Sequence, residues 1–261
     1  MPSYFGIWTV FNLDSPFFVT ARNCGGKMEA ALYLIPVTLG DTEYSKVFPS
    51  YNIQIIKEIK HFVVENIKSA KRFLAKIENS HVDDGTFVEL SEHTDIKNIQ
   101  NYLLPLQKGE AIGVISEAGC PAVADPGSDI VALAHKKGFK VVPLVGPNSI
   151  IMAIMASGFC GQSFAFNGYL PVKIGERINK IKFFENRVYK EEQTQVFIET
   201  PYRNAQLFES FIKSCKPETK LCIAANITAD DEYIKTKSIA QWKKEGWPEL
   251  KKVPAIFALY K

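Results

Sequence analysis

The sequence predicts an α/β protein, and three observations carry the prediction. Short apolar runs alternate with stretches of helical period along most of the chain. Gly- and Pro-rich turns punctuate the ends of those runs. The length of 261 residues exceeds one domain of ~150 residues and makes room for two small ones. Hydrophobic residues at 46% and charged residues at 23% match a globular chain that buries a core, which excludes wholesale disorder. Lys+Arg 31 against Asp+Glu 28 leaves +3, a balance that permits a nucleic-acid partner without requiring one. No apolar run reaches the ~18 residues of a membrane span. The cysteines (Cys24, Cys120, Cys160, Cys215 and Cys222) match neither C-x-x-C nor zinc spacing, so no metal site and reduced thiols in a cytosolic protein are expected.

Residues 1–27 are aromatic-rich, lack a basic n-region and are interrupted by Asn12 and Asp14, which makes a poor signal peptide. Met28 is the expected natural start, with 1–27 an extension. Residues 32–35 then read as a buried strand ending at Pro36. Residues 51–77 read as helical, with Ile55, Ile59, Phe62 and Val63 on one face, followed by Ile67, Ala70, Phe73, Leu74 and Ile77. A strand is expected at 86–90, a helix around Ile96, Ile99, Leu103 and Leu104, and a strand at 111–115. A helix at 130–134, closed by Gly138, and a strand at 139–144 follow. The Gly146-Pro147 turn sets the expected boundary between an N-terminal domain, 28–145, and a C-terminal domain, 146–261. The second half reads as helix 150–156, strand 164–166, basic helix 175–190, strand 195–199, helix 203–214, strand 220–225 and final strand 254–260. Such alternation implies largely parallel pairing in the first half.

Ligands of open α/β sheets bind beyond the carboxyl ends of strands. Three post-strand loops therefore stand out: 36–41 (PVTLGD), 116–127 (SEAGCPAVADPG) and 146–149 (GPNS). Gly40, Gly119, Gly127 and Gly146 allow close backbone approach to a ligand. Asp41, Glu117 and Asp125 can accept hydrogen bonds from ribose hydroxyls or an amino group. Ser149 is the expected N-cap of the following helix, offering backbone N–H donors. Ordinary turns share this composition. The chain has no G-x-x-x-x-G-K-[ST], G-x-G-x-x-G or G-x-S-x-G motif, so spacing alone indicates a ligand cleft without naming the ligand.

The segment 114–127, VISEAGCPAVADPG, resembles the SDAGxPxxxDPG signature of the tetrapyrrole methylase superfamily. Segments 141–149 (VVPLVGPNS), 156–159 (ASGF), 166–171 (FNGYLP) and 197–203 (FIETPYR) resemble further motifs of that superfamily. They are closest to the methyltransferase I branch, which methylates a ribose 2′-hydroxyl of small-subunit ribosomal RNA. Thr228 and Glu232 match a last motif loosely. The resemblance spans about residues 30–261. It implies two α/β domains with a cofactor cleft between them, S-adenosylmethionine as cofactor, ribosomal RNA as partner, and a cytoplasmic homodimer without a membrane association. Carried over residue by residue, the cleft would be lined by Pro36, Gly40, Asp41, Ser116, Glu117, Ala118, Gly119, Asp125, Asn148 and Ser149, with Glu199, Pro201 and Arg203 approaching from the second domain.

The substrate half departs further from the branch. Where its motif reads AEDTR, this chain has 64–68, VENIK, and only Glu65 and a basic residue are kept. A ribose hydroxyl acceptor calls for a general base. Glu65 and the loop residue His93 are the catalytic candidates, with Glu92 the remaining polar neighbour. Glu65 as a solvated helix residue and Arg203 as an ion-pair partner are the plain alternatives. Basic stretches at 57–76 and 173–190 offer faces for phosphates, although charge runs are also common on solvated surfaces. Three functions stay open: an RNA methyltransferase, a methyltransferase with a small-molecule acceptor such as a tetrapyrrole, and a binding-only paralogue.

Overall fold

The computed structural model describes residues 28–91, 94, 96–248, 250 and 253–261; the expected extension 1–27, Glu92 and the candidate base His93 lie outside the described residues. The first half runs β1 (Leu32–Ile35), α1 (Ser50–Glu58), β2 (His61–Val64), α2 (Ile67–Lys76), β3 (Thr86–Glu89), α3 (Ile96–Tyr102), α4 (Leu104–Gln107), β4 (Ile112–Ile115), α5 (Gly127–Lys136) and β5 (Val141–Pro143). Its sheet has the order β3-β2-β4-β1-β5, and every pairing is parallel. Parallel strands need crossover helices, so both faces are covered and the strands read as continuous apolar runs. Tyr33, Ile35, Phe62 and Val64 pack against Ile55, Ile56, Ala70 and Leu74 of α1 and α2. On the opposite face, Leu32, Val63, Ile112 and Val114 pack against Ile99, Leu103, Ile130 and Ala134.

This arrangement corrects the single helical reading of 51–77. Ile59 leaves α1 in an extended conformation (φ −77°, ψ 133°), and His61–Val64 inserts between β3 and β4. A strand buried on both faces has no period-2 alternation, so Phe62 and Val63 fit a helical spacing as well as a strand.

The second half runs α6 (Ser149–Ser157), β6 (Phe164–Phe166), α7 (Ile174–Glu191), β7 (Thr194–Glu199), α8 (Asn204–Ser214), β8 (Lys220–Ala225), β9 (Tyr233–Ser238), α9 (Ile239–Glu245) and β10 (Ala255–Tyr260). Its sheet has the order β6-β7-β10-β8-β9, parallel for β6 and β7 and antiparallel elsewhere. Helices α7, α8 and α9 cover one face around Phe197, Phe211, Ile223, Trp242 and Phe257. The other face, with Val196, Ala224 and Ile256, is covered by Ile150, Ala153 and Ile154 of α6 and by Leu39 from the first half. The elements β9 and α9 were not expected. The strand alternates only weakly, yet the capping box of α9, Ser238 with Gln241, was visible as S-x-x-Q.

Candidate active site

β1 and β4 are neighbours at the middle of the parallel sheet. The chain leaves β1 toward α1 on one face and leaves β4 toward α5 on the other. Their carboxyl-end loops therefore diverge and open a crevice, the topological switch point of the sheet. The Val37 N–H donates to the Gly119 carbonyl at 2.9 Å and ties the two loops together.

The loop after β4 is organised by one carboxylate. Asp125 Oδ1 accepts the N–H groups of Ala122 and Gly127, both at 2.7 Å. Gly119, Ala122 and Ala124 all have positive φ (71°, 65° and 62°). Each non-glycine residue in that region costs on the order of 1–2 kcal/mol, which the two bonds to Asp125 offset. Asp125 Oδ2 and Ser116 Oγ are buried and have no hydrogen-bond partner among the described residues. Burial pushes the Asp125 carboxyl above its ordinary value, opposed by the N–H groups of Gly127 and Ala122.

The loop after β2 meets the same place. Asn66 caps α2, accepting the N–H groups of Lys68 (2.9 Å) and Ser69 (3.1 Å). Ser69 Oγ donates to Glu117 Oε1 at 2.8 Å, and the Glu117 N–H donates to Glu65 Oε2 at 3.0 Å. Glu65 thus lies in a post-strand loop at the crevice and not on a helix surface, because β2 ends at Val64.

Two cavities open here. An inner cleft of about 260 Å³ between the two sheets is lined by Glu65, Ser116, Glu117, Ala118, Gly119, Asp125, Asn148 and Ser149. An outer cavity of about 990 Å³, between the β1 loop and α2, holds Gly40 and Asp41 and shares Ser116 and Glu117 with the cleft. The predicted residues of the first half are therefore split between two adjoining spaces. The N-cap of α6 is Asn148, one residue earlier than expected: its Oδ1 accepts from the N–H groups of Ile150 (3.0 Å) and Ile151 (3.1 Å).

Other predicted contacts lie elsewhere. Pro36 lines neither cavity; its ring packs on Gly146, where an added Cβ would fall 2.2 Å from Pro36 Cγ. The close approach at Gly146 is thus made by the protein itself. The same holds at Gly127, where a Cβ would meet Asp125 Oδ1 at 2.9 Å. Glu199 is buried, and its carboxylate accepts from Arg203 Nε (2.9 Å), Arg203 Nη2 (2.6 Å) and the Thr200 N–H (2.7 Å). That pairing holds the Arg203 guanidinium above its ordinary value. Glu199, Pro201 and Arg203 line neither cavity.

The second half supplies instead Tyr169, Ile198, Ala224, Asn226, Ile227 and residues 254–256 to the cleft. Apolar strand ends of this kind are indistinguishable from core in a sequence. The stronger signal is Asn226, a polar residue directly after β8, which adopts φ 50° with Thr228 at φ 76°.

The basic stretches are only partly exposed as faces: Lys68, Arg72 and Lys76 are exposed along α2, and others are paired or buried. In the first, β2 separates the lysines: Lys57 pairs with Glu78 (3.1 Å), Lys60 lies 3.9 Å from Asp84, and Lys71 sits over the Phe87 ring. In the second, Arg177 is buried against Ser210 Oγ (2.9 Å) and the Val172 carbonyl (3.1 Å), and Arg187 pairs with Glu191 (2.9 Å). Among the described residues, no group of three or more His, Cys, Asp and Glu side chains could hold a metal ion. There, too, no helix is long and apolar enough to cross a membrane. Cys120, Cys160, Cys215 and Cys222 are free thiols.

No family model matches the chain. The chain is similar to a protein of Vibrio cholerae named ribosomal RNA small subunit methyltransferase I, 28% identical over 80% of this chain and 69% of the relative. A protein of the same name from Buchnera aphidicola is 29% identical over 85% of this chain and 75% of its own length. The crystal structure of the methyltransferase CobJ superposes with a TM-score of 0.59 over 88% of this chain and 94% of its own, at 13% identity. The chain is thus a relative of the ribosomal RNA small subunit methyltransferase I proteins, built on the tetrapyrrole methylase fold.

Proposed function

We propose that this protein is an S-adenosylmethionine-dependent methyltransferase whose acceptor is a ribose 2′-hydroxyl of small-subunit ribosomal RNA. The observation that carries the reading is the junction at Ser116 and Glu117, where an inner cleft and a larger outer cavity meet beside Glu65. One space suits a cofactor, the other an acceptor. The inner cleft fits S-adenosylmethionine on the chemistry of its lining. Ile198, Ala224, Ile227 and Ile256 offer an apolar wall to an adenine ring. The unpartnered Ser116 Oγ and Asp125 Oδ2 require a polar ligand or water, and carboxylates suit ribose hydroxyls and a cationic ligand. When bound, the cofactor supplies an electrophilic methyl group on a good leaving group, so that positioning carries much of the catalysis. Glu65, fixed by the Glu117 N–H, is the base that takes the acceptor's hydroxyl proton.

The assembly expected with this activity is a cytoplasmic homodimer. Val145, Ile151 and Met155 leave an apolar surface beside and along α6, exposed at 71%, 43% and 77%, which a second copy would bury. Sedimentation of wild type against Met155→Glu reads that contact.

The activity is tested by incubating the protein with methyl-labelled S-adenosylmethionine and small-subunit ribosomal RNA, then digesting the RNA to nucleosides. Label in a 2′-O-methyl nucleoside is the expected result. Tight binding of S-adenosylhomocysteine without transfer would mark a binding-only protein, and label on a base would overturn the ribose assignment.

A further inference from the structure

The outer cavity has a basic strip, and the strip follows from helical spacing. Ser69, Arg72, Phe73 and Lys76 recur at i, i+3, i+4 and i+7 of α2 and all line it. Of the basic residues in 57–76, Arg72 and Lys76 are the two that line this space, whereas Lys71 is turned to Phe87. Arg72 is exposed and makes no hydrogen bond or ion pair among the described residues. Lys76 lies 3.4 Å from Asp41, whose side chain is 99% exposed, so the pair is weak and open to exchange. Asp41, Glu43 and Glu117 line the same cavity, Asp41 beside Lys76 and Glu117 bonded to Ser69.

We propose that Arg72 and Lys76 form a phosphate clamp that seats a backbone phosphate flanking the methylated nucleotide. The proposal rests on the acceptor being RNA. One wall then offers a planar guanidinium and an ammonium to phosphate oxygens. The carboxylates beside them, Glu117 at the edge of the cofactor cleft among them, accept hydrogen bonds from sugar hydroxyls or an exocyclic amine. A nucleotide presents both chemistries at once.

The test compares wild type with Arg72→Ala, Lys76→Ala and Arg72→Lys, reading methyl transfer to small-subunit ribosomal RNA over a salt titration and S-adenosylhomocysteine affinity by calorimetry. The alanine variants are expected to raise the RNA KM about tenfold with kcat within about twofold. Their dependence on log salt should flatten by roughly 0.7–0.9 per phosphate lost, with Arg72→Lys in between. Cofactor-product affinity within about twofold of wild type shows that fold and inner cleft are intact. Alanine variants with the wild-type KM and salt slope would overturn the clamp while leaving the methyltransferase reading in place. If wild type binds S-adenosylhomocysteine yet transfers no methyl group, the function assignment falls. The clamp is then read from RNA binding alone: weaker, less salt-dependent binding in the variants supports it, and equal binding overturns it.

Discussion

The two halves of the molecule bring different things to the same cleft. In the parallel half every strand points the same way, so the loops after β1, β2 and β4 emerge on one edge and deliver polar groups there: Asp41, Glu65, Ser116, Glu117 and Asp125. In the mixed half most strands run antiparallel, and the edge that meets the cleft presents apolar ends such as Ile198, Ala224 and Ile256. Three of its buried charged groups are paired internally, whereas Asn204 Oδ1 has no partner among the described residues. Glu185 Oε1 accepts the Lys216 N–H (2.7 Å) and the Thr219 hydroxyl (2.5 Å), Arg177 bonds Ser210, and Glu199 holds Arg203. Strand direction therefore divides the cleft: its carboxylates come from the parallel half, and most of its apolar wall from the mixed half.

Substitutions that separate the halves test this division. Asp125→Ala should have the largest effect. It leaves the N–H groups of Ala122 and Gly127 unpaired in a loop with three positive-φ residues, costing about 3–6 kcal/mol of stability for two lost charge-assisted bonds. Binding of S-adenosylhomocysteine should fall below detection in protein that circular dichroism shows to be folded at low temperature. Glu199→Gln comes next. Removing one partner of a buried pair costs ~3–5 kcal/mol, and the partial exposure of Arg203, whose side chain is 22% accessible, brings this to about 2 kcal/mol. Thermal unfolding should register that loss, while affinity for S-adenosylhomocysteine stays within about twofold, as fits a group that lines neither cavity. A cofactor contact from Glu199 or Arg203 would instead weaken binding in step.

Ile198→Ala in the mixed half should weaken binding about tenfold, from loss of roughly 1–2 kcal/mol of apolar contact, and calorimetry should find that loss constant with pH. The smallest effect is a slope. Asp125 carries a carboxyl raised above its ordinary value, and Oδ2 lacks a donor. A ligand hydroxyl or ammonium donating to Oδ2 favours the ionised form. Affinity should therefore decline as pH falls through that raised value, by at most about tenfold per unit, with a proton released on binding. Asp125→Asn keeps an acceptor for the loop N–H groups and should bind with no such slope. A wild-type affinity flat through the acidic range would remove Asp125 from the ligand's contacts.

Legibility in the sequence followed the same divide. The post-strand loops of the parallel half were readable because Gly, Pro and Asp mark where strands end, and Ser116, Glu117, Gly119, Asp125 and Asn148 do line the inner cleft. β2 was hidden because His61–Val64 is buried between two strands and lacks alternation. A β-branched and aromatic run between Lys60 and Glu65 was the available clue. The cleft walls of the mixed half were not readable, since Ile198, Ile227 and Ile256 look like any core residue. Basic runs were readable only in part, for a geometric reason. Charges adjacent in sequence diverge around a helix, so that Lys71 and Arg72 serve different surfaces.

The central claim is that the parallel half performs the chemistry through Glu65, which lines the inner cleft and accepts the N–H of Glu117, a residue shared by both cavities. It is tested most directly by the single-turnover rate of methyl transfer to small-subunit ribosomal RNA in Glu65→Gln, measured beside S-adenosylhomocysteine affinity. The amide keeps an oxygen for the Glu117 N–H but takes no proton. The expected result is a rate reduced by about 10²-fold or more, with affinity within about twofold of wild type. Transfer at the wild-type rate by the folded variant would contradict the claim.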